Sequence, residues 1–190
     1  DYLPASSTVP SPDKVLGYAI GTPEKLTHVA DIYRYYDALA KASPRVRVWR
    51  TGKSEEGRDF MLVAISDAQT MAHIDRYRQI TDELSDPRKT DAAAAKALVA
   101  EGKPMYWLSG SIHSPETGSP EMLMELVYRL ATETSPLVTQ IRDNVYVSVT
   151  PNRATSSAGS VWLRFSRSDF TTDARAARAC SSRPGAPRRP

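Results

Sequence analysis

The sequence predicts an α/β fold: a mixed, partly parallel sheet flanked by helices, followed by an irregular, basic C-terminal tail. Three observations lead there. Short β-rich runs at residues 46–51, 60–66, 104–111 and 144–150 alternate with longer stretches of helical spacing. A hydrophobic content of 41% over 190 residues is enough for one domain with a sizeable core. The alternation then stops at Pro151, where the composition changes abruptly.

Residues 1–13 (DYLPASSTVPSPD) are rich in Pro and Ser and read as an extended lead-in. The chain starts at Asp1, not Met, with no basic start followed by an apolar run. Either a leader has been removed or the sequence begins inside a longer protein. Helical spacing over residues 23–42 puts Leu26, Val29, Ala30, Tyr33, Tyr36 and Leu39 on one side. Thr22 fits an N-cap, Pro23 the first helical position, and Ser43-Pro44 a stop. Strands at 46–51 and 60–66 flank the loop Gly52-Lys53-Ser54-Glu55-Glu56-Gly57-Arg58, which reads as a hairpin.

Residues 68–102 hold two helical stretches broken at Ser85-Asp86-Pro87, and the second carries the strong helix former AAAAKALVA. A third strand (PMYWLSGS, 104–111) leads directly into His113. Ser119-Pro120-Glu121 combines a capping serine, a proline at the first helical position and an acid suited to the helix dipole. Met122, Leu123, Leu126, Val127 and Leu130 then form the apolar side of that helix. The fourth strand is NVYVSVT, 144–150.

The formal net charge of +3 averages two unlike parts. Residues 1–150 carry 17 Lys+Arg and 20 Asp+Glu, a net −3, whereas residues 151–190 carry eight Arg, two Asp and no Lys, a net +6. Of those last 40 residues, 26 are Ala, Ser, Arg or Pro, and apolar periodicity survives only around 161–165. The expected organisation is a lead-in (1–13), a folded body (14–150) and a tail outside the fold (151–190). An Arg/Ala/Pro/Ser-rich stretch without Lys, beginning mid-fold, is what out-of-frame reading of GC-rich DNA tends to produce, so a frameshift, or an error in the recorded sequence, is the expected origin of the tail. No stretch approaches the ~18 uninterrupted apolar residues of a membrane span. Cys180 stands alone, so no internal disulfide forms.

The strongest chemical signal is His113-Ser114-Pro115-Glu116, at the end of a predicted strand and just before a helix. An imidazole and a carboxylate three residues apart in a turn can converge on one cation, and open α/β sheets bind ligands at the carboxyl ends of their strands. The plain alternative is that both are polar loop residues. His28 and His73 each sit alone on a helical stretch and read as surface or partly packed histidines. Gly52 to Gly57 has phosphate-loop glycine spacing. However, Arg58-Asp59 replaces the Lys-Ser/Thr, two glutamates lie inside the loop and a strand follows, which excludes that reading. Ser109 and Ser111 lack the surroundings of a nucleophile elbow. Glu55, Glu56, Asp82 and Glu83 read as solvated charges. The arginine tail has no Lys, and no nucleic-acid partner is expected.

The segment MYWLSGSIHSPETGSPEMLMELVYRLA resembles the zinc-binding strand–turn–helix of the metallocarboxypeptidases, the carboxypeptidase A/B-like peptidases. ASPRVRVWRTGKSEEGRDFMLVAIS resembles the first hairpin of the same family, with its G-x-S-x-E-G-R loop. The two motifs occur in the family's order, roughly 55 residues apart, and the resemblance covers residues 14–150. It implies the N-terminal half of a zinc-dependent hydrolase that removes C-terminal residues from peptides or proteins. One Zn2+ would be held by His113 and Glu116, with a further histidine and a general-base glutamate downstream. Neither of those can be placed: both other histidines lie upstream, and no Glu follows Glu133. Asn152-Arg153 has the letters of the family's carboxylate-binding pair but follows the strand too soon. The expectation is therefore a truncated, inactive chain that binds zinc weakly, with secreted or periplasmic location implied by the family and by the start at Asp1. Two alternatives stay open: a non-catalytic peptidase-like binding module, and an anion-binding protein acting through the tail.

Overall fold

The computed structural model describes residues 2–113 and 115–152. The expectations for Arg153, Cys180 and the rest of the tail to residue 190 lie outside the described residues.

Four strands form one sheet in the order β1-β2-β4-β3. β1 (Val46–Lys53) and β2 (Asp59–Ile65) are the expected antiparallel hairpin. β4 (Tyr146–Thr150) runs antiparallel to β2, and β3 (Met105–Ser109) runs parallel to β4. The sheet is therefore mixed, as the sequence predicts. A parallel pair needs a crossover connection, which α6 (Gly118–Thr132) and α7 (Pro136–Asn144) supply.

Side chains alternate across a strand, so a central strand serves two cores at once. Met61, Val63 and Ile65 of β2 join Val147 and Val149 of β4 in the larger core, together with Tyr36 and Leu39 of α2 (Val29–Ala42) and Leu123 and Val127 of α6. On the opposite face Ala64 and Tyr146 pack with Met71 of α3 (Ala68–Ala72) and Ile74 of α4 (Ile74–Ser85). Helices thus cover both faces. β4 is buried along its whole length and β2 along all but its first residue, whereas Tyr106 on the outer strand β3 is 61% exposed.

Several boundaries differ from the sequence reading, each for a local reason. The helix expected over 23–42 begins at Val29, with His28, not Thr22, in the N-cap position. Glu24 has φ 63°, a left-handed conformation incompatible with a continuing helix. Thr22 instead accepts a turn hydrogen bond from the Lys25 N–H at 3.1 Å, and Leu26 is exposed rather than core-facing. The stretch 68–102 has a second break at His73, giving α3, α4 and α5 (Ala92–Glu101), the outer two capped by Asp67 and Asp91. α6 starts at Gly118, two residues early, so Ser119 is no cap, and Met122 falls on its exposed side.

Two helices are additional. α7 opens with Ser135 capping Val138 N–H and Pro136 in the first turn, the same Ser-Pro signal that marks α6. α1 (Pro12–Leu16) runs from the end of the lead-in into the folded body and is closed by Gly17 at φ 84°, where a side chain would be strained. The lead-in also docks on α6: Tyr128 donates its hydroxyl to the Pro4 carbonyl at 2.6 Å, and Tyr2 donates to Glu125.

Candidate functional site

The site lies at the carboxyl end of β3, where the chain turns into α6. Gly110 keeps the strand pairing for one more step, donating to the Thr150 carbonyl at 2.9 Å. A Cβ at Gly110 would stand 2.6 Å from the Pro151 carbonyl oxygen and 2.8 Å from Leu123 Cδ1, so only glycine permits this approach of strand, β4 exit and α6. Ser111 follows at φ 48°, buried and left-handed, and reverses the chain.

The turn then brings His113 and Glu116 together. The Glu116 N–H donates to the His113 carbonyl at 3.1 Å. In the other direction, the His113 backbone N–H donates to Glu116 Oε2 at 3.0 Å, and the His113 ring Nδ1–H meets Oε1 at 2.8 Å. Both carboxylate oxygens are thereby engaged by one residue. The side-chain and backbone hydrogen bonds from His113 hold the Glu116 carboxyl below its ordinary range. The carboxylate also lies just before the N-terminus of α6, the end that favours negative charge. The two side chains remain open to solvent, 76% and 49% exposed.

An imidazole nitrogen and a carboxylate oxygen are the donor types that zinc takes, and here the two side chains meet each other. They do not yet make a zinc centre. Tetrahedral ligands at ~2.0–2.2 Å from zinc stand about 3.4 Å apart, so a 2.8 Å separation is that of a hydrogen bond between the donors themselves. A catalytic zinc also requires a third protein ligand. Among the described residues no group of three His, Cys, Asp or Glu could hold a metal. The pair fits zinc in chemistry but not in number, and no catalytic step through the metal follows from it.

The remaining sequence candidates stay apart from this turn. His28 and His73 are exposed at helix starts, and His73 Nδ1 bonds the Gln69 carbonyl at 3.0 Å. Glu56 pairs with Arg58 at 3.0 Å and Glu83 accepts from Gln79 at 2.7 Å, as solvated charges do. The Ser111 hydroxyl donates to the His113 carbonyl at 3.2 Å, and the Ser109 hydroxyl is buried without a partner among the described residues. Among the described residues neither hydroxyl is hydrogen-bonded to a general base of the kind that activates a serine.

Sequence reasoning missed the residues that hold α6 in place behind the turn. Arg142, 5% exposed, donates to the carbonyls of Leu130 at 2.8 Å and Glu133 at 2.6 Å, and Arg45 donates to the Ala131 carbonyl at 2.7 Å. Two guanidinium groups thus satisfy the carbonyls left open at the C-terminus of α6. Burial, with Arg45 nearby, lowers the pKa of Arg142. Nothing in the local sequence distinguishes these arginines from solvated ones.

Comparison with known proteins matches residues 32–153 to the zinc carboxypeptidase family model. No curated protein matches the chain. Similar solved structures include thrombin activatable fibrinolysis inhibitor (15% identity, 68% of this chain and 25% of that one, TM-score 0.47). Carboxypeptidase A from Helicoverpa armigera is similar at 18% identity over 74% of this chain and 30% of that one, TM-score 0.47. A metallo-carboxypeptidase from Burkholderia cenocepacia is similar at 19% identity over 63% and 25%, TM-score 0.43. The chain therefore spans only 25–30% of the length of these structures. The family match covers the hairpin, the His113–Glu116 turn and all four strands, and on that match the chain belongs to the zinc carboxypeptidase family.

Proposed function

We propose that this chain carries the first part of a zinc carboxypeptidase domain, in which His113 and Glu116 are two of the zinc ligands. The observation that carries this reading is the 2.8 Å convergence of the two side chains at the carboxyl end of β3, inside the family match. The corresponding reaction class is hydrolytic removal of C-terminal residues from peptides or proteins, in a secreted or periplasmic setting. In this reading the site carried by these residues is incomplete and inactive: among the described residues no group of three His, Cys, Asp or Glu could hold a metal. No helix among the described residues is long and apolar enough to cross a membrane.

The same lack of a third ligand among the described residues favours a second reading, a peptidase-like module that binds a peptide or partner without metal. Zinc content separates the two. The purified chain and H113A are dialysed against zinc, metal content is measured, and release of C-terminal residues from peptides is followed. The first reading expects weak, sub-stoichiometric zinc that falls further in H113A, with no hydrolysis. Tight stoichiometric zinc with hydrolysis lost in H113A would overturn the inactivity. Zinc content indifferent to His113 would remove the ligand role and leave the module.

A further inference from the structure

We infer that Ser119 is the positioning residue of the His113–Glu116 pair, setting its geometry through one oxygen that bridges the two arms of the turn. The inference rests on the zinc-ligand reading above for its metal readout, and stands apart from it for its spectroscopic one.

His113 and Glu116 are exposed, so packing does little to fix them, and their placement depends on the backbone that carries them. That backbone enters the turn at Ser111 and leaves it at Glu116. Ser119 Oγ accepts the Ser111 N–H at 2.8 Å and donates its own proton to the Glu116 carbonyl at 3.3 Å. A serine at the N-cap position caps its helix, but Ser119 is the second residue of α6, whose N-cap is Thr117, without a side-chain cap bond. The Ser119 hydroxyl serves the turn instead.

Ser111 needs that support. It is 4% exposed and left-handed at φ 48°, a conformation non-glycine residues hold only when their surroundings impose it. With Gly110 seated against Pro151 and Leu123 on one side and Ser119 Oγ on the other, the residue two positions before His113 is fixed. Ser111 passes the constraint on, since its own hydroxyl donates to the His113 carbonyl at 3.2 Å. The chain of contacts Ser119–Ser111–His113 and Ser119–Glu116 thus reaches both members of the pair. Hydrogen bonds that orient metal ligands typically change affinity by about 10–100-fold when removed.

The test uses the full 190-residue chain with S119A, S119T and S119C. The readouts are Zn2+ affinity by calorimetry and the His113 ring nitrogen shifts by NMR in metal-free protein. In S119A, Zn2+ affinity is expected to fall about tenfold or more, and the ring shifts to move toward those of a free, tautomerising imidazole. S119T keeps the oxygen and restores both, and S119C, a weak acceptor, falls between. Wild-type ring shifts and affinity in S119A, or loss of both in S119T, would overturn the inference. Should S119A not fold, equal values for S119T and S119C would overturn it. If H113A leaves Zn2+ binding unchanged, the zinc-ligand reading fails, and the ring shifts alone decide the role of Ser119.

Discussion

Glu121, in the first turn of α6, accepts hydrogen bonds from both the N–H and the hydroxyl of Thr27, at 2.9 and 2.7 Å, across 94 residues of sequence. The carboxylate is 8% exposed, so it does not act as the solvated dipole partner that its position suggests. It anchors the loop before α2 to the helix that follows the His113–Glu116 turn. Tyr18 extends the network by donating to Thr27 Oγ1 at 3.0 Å.

Removing this anchor leaves a backbone donor unsatisfied. E121A is expected to destabilise the chain by about 1–3 kcal/mol, the cost of orphaning a buried polar group. T27V removes one hydroxyl but spares the backbone bond, and should cost about 1 kcal/mol. Urea midpoints of the two variants and of wild type check the ranking; equal midpoints for E121A and wild type would place the network outside the fold's energetics.

Arg142 should be the most sensitive charged position described. Its guanidinium is buried and bonds two carbonyls at the C-terminus of α6, so R142A loses charge-assisted bonds and uncaps the helix. A loss of about 2–4 kcal/mol is expected. R142K keeps the charge but not the planar fork and should recover only part of it. Thermal unfolding followed by circular dichroism measures both.

The sheet was legible in the sequence because apolar runs bounded by turn residues identify strands without tertiary information. The proximity of His113 and Glu116 was legible because both residues sit within one turn. Helix starts were less so. Thr22-Pro23 and Ser119-Pro120 carry the same cap signal as Ser135-Pro136, yet only the last operates as a cap, because Glu24 turns left-handed and Ser119 bonds Ser111 instead. Long-range contacts left no local trace at all: a buried Arg142 or Glu121 reads like any exposed charge until its partner, 12 or 94 residues away, is in place.

Asp67 predicts a pH dependence. It caps α3 through the Thr70 N–H at 2.8 Å and meets Lys103 Nζ at 2.8 Å. Burial alone would raise its pKa, but the bonds from Lys103 and Thr70 outweigh that and bring it from 3.8 to about 2. A carboxyl depressed on folding stabilises the fold above its unfolded value, and the contribution disappears as pH falls from 3.8 through 2. The shift corresponds to at most about 2 kcal/mol, reduced toward about 1 by solvent at this rim. The stability gap between wild type and D67N should therefore be largest above about pH 5 and close as the pH approaches 2. A gap that widens on acidification would refute the assignment.

Gly110 tests whether the strand exit is as tight as its contacts imply. A methyl group there would meet the Pro151 carbonyl at 2.6 Å and Leu123 Cδ1 at 2.8 Å. Leu123 is buried and the carbonyl is backbone, so neither can yield without moving α6 or the β4 exit. G110A should cost about 1–3 kcal/mol by overpacking. The same displacement reaches the turn through Ser111, so amide exchange at Ile112 and His113 should quicken in G110A. Unchanged exchange there, beside a lowered unfolding midpoint, would mean that the strain dissipates into α6 and that the His113–Glu116 turn is set by its own hydrogen bonds alone.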